Sequence, residues 1–131
     1  MDKEDLKKRT KKFSSDIIRF SDVLPNTRAA NVICNQILRS ATSVGANYRA
    51  ACRTRSKADF ISKITIVEEE ADESLFWMEL MLESGIIKPN DRILSLMKEA
   101  DELVAIFVSS GKTAKTNLYN NPNSKFRNPK S

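Results

Sequence analysis

Residues 27–85 read TRAANVICNQILRSATSVGANYRAACRTRSKADFISKITIVEEEADESLFWMELMLESG, and this stretch decides the fold. Ala30, Cys34, Ile37, Ala41, Val44, Tyr48 and Ala51 recur in alternating steps of four and three. That spacing predicts one apolar stripe along a helix from about Thr27 to Arg53. Ser56 then supplies an N-cap, and Phe60, Ile64, Val67, Ala71, Ser74, Met78 and Met81 repeat the same steps as far as Gly85, read as a C′ glycine. Two long helices joined by so short a turn must be antiparallel neighbours. With the turn centred between Arg55 and Ser56, facing residues have numbers summing to about 111. Val44 then meets Val67, Tyr48 meets Ile64, Ala51 meets Phe60 and Ile37 meets Ser74.

Outward from this pair, a first helix is predicted from Lys3 to Leu24. Leu6, Phe13, Ile17, Phe20 and Leu24 lie on one face, and Pro25 and Asn26 end it. A fourth helix starts near Asn90 or Asp91, after Pro89, with Ile93, Met97, Ala100, Val104 and Phe107 as its stripe. From Gly111 onward the pattern stops. The expected fold is all-α, an antiparallel up-down-up-down four-helix bundle over residues 1–111. Residues 112–131, rich in Asn, Lys, Pro and Ser, are expected to form a basic tail, disordered beyond a short helical extension.

Composition agrees with this reading. A chain of 131 residues suits one domain, and 3 Gly and 4 Pro are too few for a many-stranded β fold. The sequence holds no histidine, which excludes His-based triads and the Glu-x-x-His ligands of di-iron bundles. No apolar run approaches the roughly 20 residues of a membrane span, so a soluble, cytoplasmic protein without membrane partners is expected. Cys34 and Cys52 fall on one predicted helix about 27 Å apart, beyond disulfide reach. The net charge of +5 is unevenly spread. Residues 1–56 carry twelve Lys/Arg against five Asp/Glu, residues 57–111 carry five against twelve, and the last twenty residues carry five and no acid.

The register also pairs residues that flank the seam. Ser40 faces Glu70, Asn47 faces Lys63 and Ile33 faces Trp77. The two polar pairs read either as hydrogen bonds that set register or as a ligand site. The third helix carries a second stripe that includes Ile66, Glu73, Trp77 and Leu80. A surplus face of this kind is expected to meet a second subunit, with Trp77 as its anchor. Gly45 costs its helix about 1 kcal/mol relative to Ala, and it is read as marking close packing near Ile66.

No active site is legible. The acids Glu68, Glu69, Glu70, Asp72 and Glu73 find no acid on the second helix, so neither a metal centre nor paired-carboxylate hydrolysis is expected. A single glycine in Ser43–Asn47 is no phosphate loop. The chain is therefore expected to lack catalytic residues, metal and cofactor. Basic residues are the better candidates. Lys7, Lys8, Arg9, Lys11 and Lys12 open the first helix, and Arg49, Arg53, Arg55 and Lys57 surround the turn after the second. In an up-down bundle both groups share one pole. Lys112 and Lys115 lead the tail, where Lys125, Arg127 and Lys130 follow with Tyr119 and Phe126 interleaved. Such a pole would neutralise phosphates in a salt-dependent way; a merely solvated basic surface is the plain alternative.

Three segments carry a resemblance. They are Gln36-Ile37-Leu38-Arg39-Ser40-Ala41-Thr42-Ser43-Val44-Gly45-Ala46-Asn47-Tyr48, then Asp59-Phe60-Ile61-Ser62-Lys63-Ile64, then Glu69-Glu70-Ala71-Asp72-Glu73-Ser74-Leu75-Phe76-Trp77. Together they resemble the four-helix-bundle proteins encoded in intervening sequences of 23S ribosomal RNA genes, sometimes labelled ribosomal-protein-like. These are similar to the accessory variability determinant proteins of diversity-generating retroelements. Where many members carry an acid and a glycine after the Asn-x-x segment, this chain has Ala50 and Ala51. The resemblance implies a homopentamer, no catalytic activity, a nucleic-acid role, and a partner protein such as a reverse transcriptase.

Two function classes follow. One is a non-enzymatic accessory module that binds RNA or DNA through the basic pole and tail. The other is an oligomeric scaffold whose ligand is another protein.

Overall fold

The computed structural model describes residues 1–120. It holds four helices and, among the described residues, no strand: α1 (Lys3–Ser21), α2 (Arg28–Ala51), α3 (Lys57–Glu83) and α4 (Asp91–Asn120). Each start has a local cause. Asp2 and Asp5 form a reciprocal capping box on α1. The Thr27 hydroxyl accepts from the Ala30 N–H, that of Ser56 from Asp59, and the Asn90 side-chain oxygen from Ile93. The α3 end is equally local. Gly85 sits at φ 78°, a left-handed conformation that costs glycine nothing, and its N–H meets the Leu82 carbonyl.

The helices pack in chain order, α1 on α2, α2 on α3 and α3 on α4, while α1 also touches α4 along a shorter line. Phe13, Ile17, Phe20, Ile37, Val44, Ile64, Val67, Met78, Met81, Ile93, Leu103 and Phe107 are fully buried in one continuous core. Every stripe residue foreseen on α2 and α3 is buried, except Cys34 and Phe60, which are half-buried. The Tyr48 ring lies 5.3 Å from that of Phe107, so α2 and α4 also meet across the interior. Four polar side chains, Thr10, Ser14, Ser40 and Ser74, are buried, and no buried side-chain polar atom among the described residues lacks a partner.

The α4 reading needs correction. Leu96 and Leu103 are buried, whereas Met97 and Val104 are half-buried, so the buried stripe is rotated from the one read off the sequence. The helix also continues through Gly111 to Asn120. Gly111 is buried with Ile64 Cγ2 3.8 Å from where a Cβ would stand, and Ala114 and Leu118 prolong the stripe. The glycine that reads as a stop is thus a packing position against α3. Of the tail 112–131, residues 112–120 belong to α4; the expectation for the remainder lies outside the described residues.

Gly45 likewise marks a close approach, but to α1 rather than to Ile66. An added Cβ would stand 2.8 Å from Ser14 Oγ and 3.4 Å from Lys11 Cα. The Ser14 hydroxyl donates to the Ala41 carbonyl at 2.6 Å and accepts from the Gly45 N–H at 3.3 Å. The sequence register covered α2 against α3 only, so it was silent on this contact.

Candidate nucleic-acid interface

The flanking polar residues of the α2–α3 seam take partners other than those foreseen. Ser40 Oγ lies 3.0 Å from Ser74 Oγ, which itself donates to the Glu70 carbonyl. The Glu70 carboxylate instead accepts from Arg39 at 3.1 Å. A glutamate at the rim of the seam is better solvated beside an exposed guanidinium than against a buried hydroxyl. The Asn47 amide turns back on its own helix to Ser43, both carbonyl and hydroxyl, and Lys63 makes no ion pair among the described residues. Ser40, Ser74 and Asn47 are thus engaged in hydrogen bonds within and between the two helices.

Glu73 is also engaged within the chain, accepting from Arg39 and, at 3.1 Å, from Trp77 Nε1. Trp77 and Leu80 are half-buried and pack against the core, Ile66 is half-buried, and the neighbouring Phe76 is 50% exposed. The Phe76 and Trp77 rings meet edge to face at 5.0 Å.

The cations of α1 divide into two sets. Arg9 turns toward α4, where its guanidinium binds Glu99 through Nε at 2.7 Å and Nη2 at 2.6 Å, and Glu102 at 2.9 Å. The hydrogen bonds to Glu99 raise its pKa further above an already high value, against partial burial. Lys12 pairs with Asp16 at 2.6 Å. Arg9 is thereby taken out of a shared basic surface, while Lys12 stays exposed beside its acid and away from the cleft described next. Lys7, Lys8 and Lys11 face the other way, and together with Arg49 they line a cleft of about 510 Å³ between α1 and α2. Ser14, Thr42, Gly45 and Ala46 complete it, with no acid in the lining. Lys7 also reaches Glu4 at 3.0 Å, whereas Lys8, Lys11 and Arg49 make no ion pair among the described residues. A cleft walled by one sign of charge over low-dielectric protein concentrates its field on an approaching anion.

A second cavity, of about 620 Å³, opens at the pole itself. Lys3 of α1 meets Thr54, Arg55, Ser56 and Lys57 of the α2–α3 turn there, over Ala51 and Phe60. The extended α4 closes it with Ser109, Ser110, Thr113, Ala114 and Asn117, again without an acid. Lys112 and Lys115 are exposed on the same stretch of α4 but do not line it, and exposed Arg53 lines neither cavity. Lys3, Phe60 and the hydroxyl-bearing turn of α4 went unnoticed as site residues. Lys3 was legible from the shared-pole argument; the α4 residues were not, because the helix was read as stopping before them. No cluster of metal-ligating side chains occurs among the described residues, and no helix is long and apolar enough to cross a membrane.

Fold and site together define, over the described residues, an all-helical protein of four packed helices with two cavities whose linings carry cations and no acid. Residues 2–109 match the model of the 23S rRNA-intervening sequence protein family, to which this chain belongs. It is also similar to a crystal structure of a protein with unknown function from the S23 ribosomal protein family of Bacteroides thetaiotaomicron VPI-5482. The two share 33% identity and a TM-score of 0.77, covering 86% of this chain and 99% of that one. No curated protein matches the chain.

Proposed function

We propose that this protein is a non-enzymatic, cytoplasmic nucleic-acid-binding module, an up-down-up-down bundle that acts as a ribonucleoprotein accessory. The observation that carries the reading is the α1–α2 cleft, where Lys7, Lys8, Lys11 and Arg49 gather with no acid between them. By contrast, Arg9 and Arg39 are each held by two carboxylates. The cleft cations stand on two helices without a projecting recognition element, so they suit phosphates rather than base edges.

Oligomerisation is part of the proposal. The half-exposed Phe76 beside Trp77, with Ile66 and Leu80 on the same helix, supports a subunit contact on α3. Resemblance to the retroelement accessory proteins supports a homopentamer and a partner such as a reverse transcriptase. A ring of copies would repeat the basic cleft and raise avidity without any strong single site.

Polarisation titration of labelled single-stranded RNA and duplex DNA at two salt concentrations tests this reading. Binding that falls steeply with salt and depends little on sequence is expected. No binding at low salt would instead favour a protein-binding scaffold.

A further inference from the structure

Resting on the nucleic-acid reading, we infer that the polar cavity at the end of the bundle seats one unstacked nucleotide of a single strand. Its parts match that ligand. Phe60 presents a half-buried ring in the lining, a surface on which a base can stack. Lys3, Arg55 and Lys57 surround it and can meet the flanking phosphates. Ser109 and Thr113 add hydroxyls that both donate and accept, the chemistry of a ribose or a base edge. At about 620 Å³ the cavity falls within the roughly 300–1,000 Å³ usual for small-ligand sites.

The α1–α2 cleft differs on the decisive point. Its lining has cations but no aromatic ring, so it cannot distinguish stacked from unstacked bases. A duplex keeps its bases inside the helix and has none to offer the Phe60 ring; a single strand does. The two sites thus divide the work. The cleft attracts any phosphate backbone, and the polar cavity adds affinity for single strands alone.

The test uses the full chain and two labelled probes, a twelve-nucleotide single-stranded RNA and the duplex of the same sequence, at low salt. Phe60→Leu keeps an apolar side chain against the core and removes the ring. Ser109→Leu with Thr113→Leu fills the cavity from the exposed side of α4 without touching the core. Each variant should weaken single-strand binding about tenfold, the usual scale of one lost base–aromatic stack, and leave duplex binding unchanged. Equal loss on both probes, or no loss on either, overturns the nucleotide seat while the phosphate-binding reading stands. Failure of the unaltered protein to bind either probe overturns both.

Discussion

The Gly45 N–H of α2 donates to the Ser14 hydroxyl of α1 at 3.3 Å, and a methyl group on Gly45 would stand 2.8 Å from that oxygen. Backbone and side chain therefore meet with no space between them. Gly45→Ala gains about 1 kcal/mol of helix propensity but forces a well-packed junction apart, at about 1–3 kcal/mol. A net loss of about 1 kcal/mol is expected in urea melts. Combining it with Ser14→Ala removes the crowding atom, so the double variant should lose less than the two single losses added together.

Arg9 should behave as a structural residue. Arg9→Gln leaves Glu99 and Glu102 close together without their cation, and should cost about 1–2 kcal/mol of stability. RNA affinity at a temperature where the variant is folded should hardly change. Chemical denaturation and polarisation titration on the same preparation check both halves.

The opposite pattern is expected at the cleft. Lys8→Gln, Lys11→Gln and Arg49→Gln together should leave stability within about 0.5 kcal/mol, since none of the three makes an ion pair among the described residues. The slope of log affinity against log salt should fall by about two for a single strand.

Tyr48 makes alkaline stability a reporter of packing. Burial, and next its neighbour Cys52, push the phenol well above the ordinary 10.0. The unfolded chain gives up this proton near 10 while the folded chain holds it. Its contribution is therefore complete below that pH and lost as pH rises beyond it, by up to about 1.4 kcal/mol per pH unit. Tyr48→Phe should show a shallower fall between pH 10 and 11.5 in thermal melts followed by circular dichroism.

If α3 makes the proposed subunit contact, Ile66→Asp with Leu80→Asp should dissociate the oligomer and keep most of the helix content, because the added charges cannot be buried cheaply there. Light scattering reads the mass and circular dichroism the helicity. An unaltered protein that is monomeric at micromolar concentration ends the oligomer proposal.

Chain periodicity by itself determined α1 to α3 and the stripes that α2 and α3 bury, while for α4 it gave the start but neither the buried stripe nor the end. Apolar spacing and caps are local properties, and a stripe such as Ala41, Val44, Tyr48 and Ala51 can face only one way once its helix forms. That the start of α1 shares a pole with the Arg55 turn followed from connectivity alone, although Lys3, which the structure places beside Arg55 and Lys57, was not among the residues assigned to it. Only the tertiary structure decided which cations of α1 line the cleft with Arg49 and which meet acids. Lys8 and Arg9 are neighbours in sequence, yet the step of about 100° between successive helical residues sends Lys8 toward the cleft and Arg9 to the α4 acids. The same holds for Gly45 and Gly111, whose reasons lie at Ser14 and Ile64, far away in the chain. Pattern reports which face of a helix is buried; what that face touches depends on how whole helices sit against each other, which no single helix encodes.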